Sequence, residues 1–215
     1  MKSALFASGS NSPGMLVTVD GPNGSGKSFL TRAIEVELRN RGAKVYGTQQ
    51  PSASELGRFC RDAEVGLSGR ALACLVAADR HQQTEGEIAD HLQAGEIVLC
   101  DRYVESSLVL QRIDGVEVAY ILQINSGIPR PDLRISLRAS PEVIRARLSE
   151  RSPDDGRRFE KSAGPELELK LYAEAERLLA TNYGLPSHVL DTSNTTADEL
   201  GAVAAQLVWE ATSVE

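Results

Sequence analysis

Gly21-Pro22-Asn23-Gly24-Ser25-Gly26-Lys27-Ser28 lies between a short apolar run, Met15-Leu16-Val17-Thr18-Val19-Asp20, and a strongly helical segment from Phe29 to Arg41. The octapeptide satisfies G-x-x-x-x-G-K-[S/T] at every fixed position, the pattern of a loop that wraps a polyphosphate. Its glycines let successive backbone N–H groups turn inward around an anion. Lys27 can reach the outer phosphates, and the Ser28 hydroxyl can ligate Mg²⁺. The flanks supply the required context: a buried strand leads in, and a helix whose N-terminal dipole faces the anion leads out. Asn23, Gly24, Ser25, Gly26, Lys27, Ser28 and Phe29 are therefore the candidate residues for holding a nucleotide triphosphate such as ATP.

Further along, Gly42 closes the first helix and Lys44 to Thr48 reads as a second strand, followed by Gln49-Gln50-Pro51. Ser54 to Glu64 and Arg70 to Ala94 carry helical periodicity, the latter with Leu72, Leu75, Val76, Ile88 and Leu92 as core positions. Ile97-Val98-Leu99-Cys100-Asp101 is a continuous apolar strand ending in a carboxylate, the form of a central parallel strand with its ligand-facing end at Asp101. Helices are predicted at Glu105 to Gln111, Val116 to Ile124, Pro141 to Arg151, Glu166 to Ala180 and Ala197 to Ala211, and strands at Leu133 to Leu137 and His188 to Asp191. Alternating strands and helices imply a three-layer α/β/α sandwich around a five-stranded parallel sheet, in a single domain over residues 15–215. Ser152 to Arg158 interrupts the periodicity and reads as an exposed loop, the centre of a small lid at about residues 148–162.

The 215 residues carry a net charge of −7, which argues against a nucleic-acid binder, since that task needs a concentrated excess of Lys and Arg. Cys60, Cys74 and Cys100 have neither metal-ligand nor C-x-x-C spacing and read as buried or reduced thiols of a cytoplasmic protein. Residues 1–14 hold only a brief apolar patch, Ala4 to Ala7, too short for a signal peptide, and read as a disordered lead-in. No segment approaches the length of a membrane helix.

Four stretches in order carry a resemblance: the phosphate loop, Ala77-Ala78-Asp79-Arg80, Val98-Leu99-Cys100-Asp101-Arg102-Tyr103 with Ser106-Ser107 following, and Arg130-Pro131-Asp132-Leu133. Together they resemble the thymidylate kinase family of P-loop nucleoside monophosphate kinases, from about Leu16 to the end of the chain. The resemblance implies ATP and Mg²⁺ as donor and metal, and a nucleoside 5′-monophosphate, most simply dTMP, as acceptor. It also implies a flexible arginine-bearing lid and, commonly, a homodimer. Phosphoryl transfer between two anions requires their repulsion to be cancelled, work suited to arginines and a metal. Arg102 would grip the acceptor phosphate in a bidentate fork that lysine cannot reproduce. Asp101 would either orient Arg102 or hold Mg²⁺ through water, together with Ser28. Arg80 would reach the acceptor base, with Asn23, Gln50, Val76, Ser106, Ser107, Leu110 and Gln111 around the acceptor. The loop has no arginine between its glycines, so lid arginines, Arg151 and Arg158 foremost with Arg147 and Arg157, are the expected source of charge on the transferring group.

The acceptor side departs from the family pattern. Asn23 stands where an Asp or Glu usually contacts the sugar hydroxyl, and Gln49-Gln50-Pro51 replaces Arg-Glu-Pro. Val76 and Leu110 replace two rings, and stacking on a base contributes about 1 to 3 kcal/mol in nucleic-acid binders. A divergent kinase for another nucleotide or phosphorylated small molecule is the alternative, and a catalytically silent nucleotide binder a third.

Overall fold

The computed structural model describes residues 5–7, 12–150 and 163–212. Five parallel strands form one sheet: β1 (Met15–Asp20), β2 (Val45–Gln49), β3 (Ile97–Asp101), β4 (Leu133–Arg138) and β5 (His188–Asp191), in the order β2-β3-β1-β4-β5. Helix α1 (Lys27–Asn40) follows the phosphate loop, and α2 (Glu55–Ala63), α3 (Gly69–Gln83) and α4 (Ala89–Gln93) lie between β2 and β3. After β3 come α5 (Val104–Ile113) and α6 (Val118–Ile124), and α7 (Pro141–Ser149) and α8 (Pro165–Tyr183) separate β4 from β5. Helix α9 (Ala197–Thr212) ends the described chain.

The period of two along each strand sorts the sheet into two apolar layers. Val17, Val19, Ile97, Leu99, Leu133, Ile135 and Leu137 pack with α1 and α9, whereas Leu16, Val98 and Cys100 pack with α5, α6 and α8. This alternation decides where two carboxylates point. Asp101 shares the parity of Ile97 and Leu99 and meets α1, while Asp20 shares that of Leu16 and meets α5. The two strand ends are adjacent, Val19 pairing with Asp101, so two buried acids on opposite faces flank the start of the phosphate loop.

Local chemistry sets the helix ends. Ser54 and Ser140 cap α2 and α7 by accepting from Gly57 N and Val143 N, Pro141 and Pro165 occupy first helical positions, and Gly184 ends α8 at φ 60°. Helix α1 starts at Lys27, two residues earlier than its apolar periodicity predicts, because Gly26 at φ 91° turns the loop directly into the helix.

Two expectations need correction. The single helix from Arg70 to Ala94 is α3 and α4 joined by a π-helical turn at Thr84–Ile88, where the Thr84 hydroxyl donates back to Arg80 O. The lead-in is not disordered at Leu5 and Phe6: both are buried, and the chain there bonds to the Ile128 segment through Ala7 N to Ile128 O and Gly127 N to Leu5 O. Phe6 also stacks edge-on against Tyr183. Burial of two large apolar side chains, at about 1.5 to 3 kcal/mol each, outweighs the entropy of a short polar-flanked segment.

Candidate active site

The carboxyl ends of β1, β2 and β3 converge on a cavity of about 100 Å³ lined by Asn23, Gly24, Gly26, Lys27, Ser28, Phe29, Gln50, Asp101, Arg102 and Arg61 among others. The phosphate loop makes one wall. A side chain at Gly21 would place its Cβ 2.7 Å from Leu137 O, so the turn out of β1 admits only glycine. Lys27 is buried, and its Nζ donates to Gly21 O at 2.8 Å and Pro22 O at 2.7 Å. Burial, reinforced by the nearby Arg102 charge, lowers its pKa to about 7.

Asp101 Oδ2 accepts from Ser28 Oγ at 2.6 Å, and Asp101 Oδ1 is buried with no partner. A buried carboxylate oxygen without a donor is costly. A hydroxyl and a carboxylate at the mouth of a phosphate cradle are hard oxygen donors of the kind Mg²⁺ takes, so these residues fit that ion.

Arg102 lines the same cavity. Its backbone is left-handed at φ 72°, a strained conformation for a residue with a Cβ, and its N–H donates to Val19 O. Its guanidinium donates to Asn23 Oδ1 at 2.7 Å and Ser106 Oγ at 3.3 Å. Burial works against this charge, yet the carboxylates of Asp101, Asp20 and Glu168 hold its pKa above the ordinary guanidinium range.

A narrower space of about 30 Å³ adjoins, lined by Asn23, Gln50, Val76, Arg80, Arg102, Ser106, Ser107, Leu110 and Gln111 among others. Arg80 is fully enclosed there and donates to Gln50 Oε1, Asn125 Oδ1 and Ser107 Oγ. Gln111 Oε1 is buried without a partner. On the other side of the loop, Gly24, Ser25, Gly26, Phe29, Arg147, Thr196 and Leu200 help line a cavity of about 420 Å³. Phe29 is 71 % exposed between this cavity and the phosphate pocket. Arg147 donates to Thr192 O and Oγ1 and to Gly24 O, which ties it to the loop backbone.

Every site residue expected from the sequence and lying among the described residues thus reaches one edge of the sheet. Arg151 and Arg158, with most of the expected lid, lie outside the described residues. Sequence reasoning missed Glu168, Tyr172, Asp20 and Arg61. Glu168 accepts from Asn23 N at 2.8 Å and Asn23 Nδ2 at 2.9 Å, and the Tyr172 hydroxyl is 3.1 Å from Ser106 Oγ. Asn23 is therefore held as a bridge between Glu168 and Arg102. A signal existed: Glu168, Tyr172 and Glu176 recur every fourth residue on the face that Leu171, Ala175 and Leu179 mark as buried. Arg61 donates to Pro51 O and Ser52 O, and nothing in its spacing announced it.

The phosphate loop on a five-stranded parallel sheet, with helices on both faces, defines the P-loop kinase fold. A family profile described as Thymidylate kinase matches residues 19–185. The chain belongs to that family. It is 40 % identical over 141 residues to a probable thymidylate kinase of Caldivirga maquilingensis, covering 64 % of this chain and 69 % of the relative. It is 35 % identical over 150 residues to a thymidylate kinase of Caldicellulosiruptor saccharolyticus, covering 66 % and 73 %. The solved thymidylate kinase of Candida albicans shares the fold with a TM-score of 0.74 over 94 % of this chain and 93 % of that one, at 21 % identity.

Proposed function

We propose that the protein transfers the γ-phosphoryl group of ATP to the 5′-phosphate of dTMP, giving dTDP and ADP. One observation carries the reading: the phosphate loop and Arg102 line the same cavity, so a donor and an acceptor phosphate would meet there. Little covalent work is then left to the protein; positioning and charge cancellation do the rest.

In this reading Asn23 to Ser28 cradle the donor phosphates, and Lys27 leaves its two carbonyl partners for phosphate oxygens. The 420 Å³ cavity takes the donor base and ribose, with Phe29 and Arg147 along its wall. Ser28 and Asp101 would hold Mg²⁺, which would neutralise phosphate charge. Arg102 clamps the acceptor phosphate. Gln50, Val76, Arg80, Ser106, Ser107 and Leu110 enclose the acceptor nucleoside. The unpartnered Gln111 oxygen suits the imide N–H of thymine, and Val76 and Leu110 offer apolar contact where rings would stack. Arg151 and Arg158 are proposed to complete charge cancellation from the lid. The reading extends to a cytoplasmic protein that binds no nucleic acid and pairs as a homodimer through α3; light scattering on the purified protein tests the pairing. No helix among the described residues is long and apolar enough to cross a membrane.

The test is ATP consumption with Mg²⁺ and a panel of nucleoside monophosphates. Formation of dTDP as the fastest product is expected. Faster phosphorylation of another acceptor would overturn the dTMP assignment, and ATP binding without transfer to any acceptor would overturn the kinase.

A further inference from the structure

Helix α5 begins at Val104, and its N-cap residue, directly after Arg102, is Tyr103, whose side chain makes no capping hydrogen bond. Helix starts leave backbone N–H groups that need an acceptor, and tyrosine cannot supply one locally. The acceptor comes from another strand. Asp20 Oδ1, at the end of β1, takes Tyr103 N at 3.2 Å, Ser106 N at 3.1 Å and Ser106 Oγ at 2.6 Å. Asp20 is 1 % exposed and its second oxygen, Oδ2, has no partner, so the fold retains a buried carboxylate that is only half satisfied. Such a group is expensive in a low-dielectric interior.

The three bonds surround Arg102. Tyr103 follows it directly, and the Ser106 hydroxyl that donates to Asp20 also accepts from Arg102 Nη1. With Arg102 N donating to Val19 O, the left-handed backbone of Arg102 is bracketed on both sides by the last two residues of β1. Gly21, the next residue, opens the phosphate loop. The same strand end thus fixes the donor cradle and the acceptor-side guanidinium relative to each other.

We propose that Asp20 is a positioning residue for phosphoryl transfer: by capping α5 from β1 and orienting Ser106, it sets Arg102 in register with the phosphate loop. Asp20 touches no substrate in this role and acts through Arg102. Asp20 bonds Tyr103 and Ser106 directly, and through Ser106 and Arg102 it connects to Tyr172 on α8 and Asn23 in the loop. The proposal rests on the kinase reading given above.

A double-mutant cycle tests it. Asp20→Ala should lower kcat/KM for dTMP at least tenfold while leaving the Kd for ATP, measured without acceptor, within twofold. In an Arg102→Ala background the same substitution should change kcat/KM less than twofold, because the residue it serves is gone. Asp20→Asn, which keeps an accepting oxygen, should recover most of the loss. Should Asp20→Ala fail to fold, Asp20→Ser, whose shorter side chain holds its oxygen back from Ser106, should give the same acceptor defect, again silent with Arg102→Ala. A full tenfold loss on top of Arg102→Ala, or ATP binding weakened in proportion, would overturn the role. Wild-type protein that phosphorylates no nucleoside monophosphate would overturn the kinase reading and this proposal together; turnover with an additive cycle overturns this proposal alone.

Discussion

Lys27 is the residue on which the donor side turns. Its burial and the Arg102 charge bring its pKa to about 7, so near neutral pH only part of the population carries the charge that a polyphosphate needs. A folded-state value below the unfolded one means that the unfolded chain binds more protons from about pH 7 to pH 10. The resulting cost to stability is full below pH 7 and is relieved as pH rises across that range. Binding a polyanion must restore the proton. ATP binding at pH 8.5 should therefore take up about one proton, read by calorimetry in buffers of different ionisation enthalpy, and Lys27→Met should abolish the uptake. Uptake of no proton by the wild type would show that Lys27 does not meet the phosphates.

At the scale of elements, α8 brings a buried acid to the site from afar in sequence. Glu168 on α8 holds both the backbone and side chain of Asn23, so Glu168→Ala strands two buried donors and frees the Asn23 bridge to Arg102. The expected loss is about 1 to 3 kcal/mol in urea unfolding, with kcat for dTMP reduced about tenfold. Unaltered kcat would confine Glu168 to stability. Between β4 and α5, Arg134 and Glu105 form a fully enclosed ion pair with Ser136 beside them. Burial pushes the Glu105 carboxyl up, and Arg134 opposes that push. Arg134→Met should cost about 3 to 5 kcal/mol. A carboxyl whose folded pKa is raised loses stability as pH climbs, so the deficit should be larger at pH 8 than at pH 5. A deficit independent of pH would contradict the buried charge.

For the molecule as a whole, the sheet and its order of elements were legible because strand and helix periods are local properties of the chain. The site was legible where motif spacing put residues on the loop and at the end of β3. What escaped was non-local. Leu5 and Phe6 were too brief an apolar patch to suggest docking, since their partners Ile128 and Tyr183 lie more than a hundred residues away. Removing residues 1–7 should cost about 3 kcal/mol and lower Tm by about 6 to 12 °C, with kcat for dTMP unchanged. The π-helical turn at Thr84–Ile88 escaped for the opposite reason: it keeps helical composition while changing the hydrogen-bond step. Glu168 and Asp20 escaped because a buried acid is legible only from the donors that surround it, and those come from other elements.

The central claim is that two anions meet between the phosphate loop and Arg102. Steady-state formation of dTDP by Arg102→Ala, alongside its Kd for ATP, tests this most directly. Turnover should fall by about 10²-fold or more with ATP binding unchanged; wild-type turnover in that variant would contradict the account.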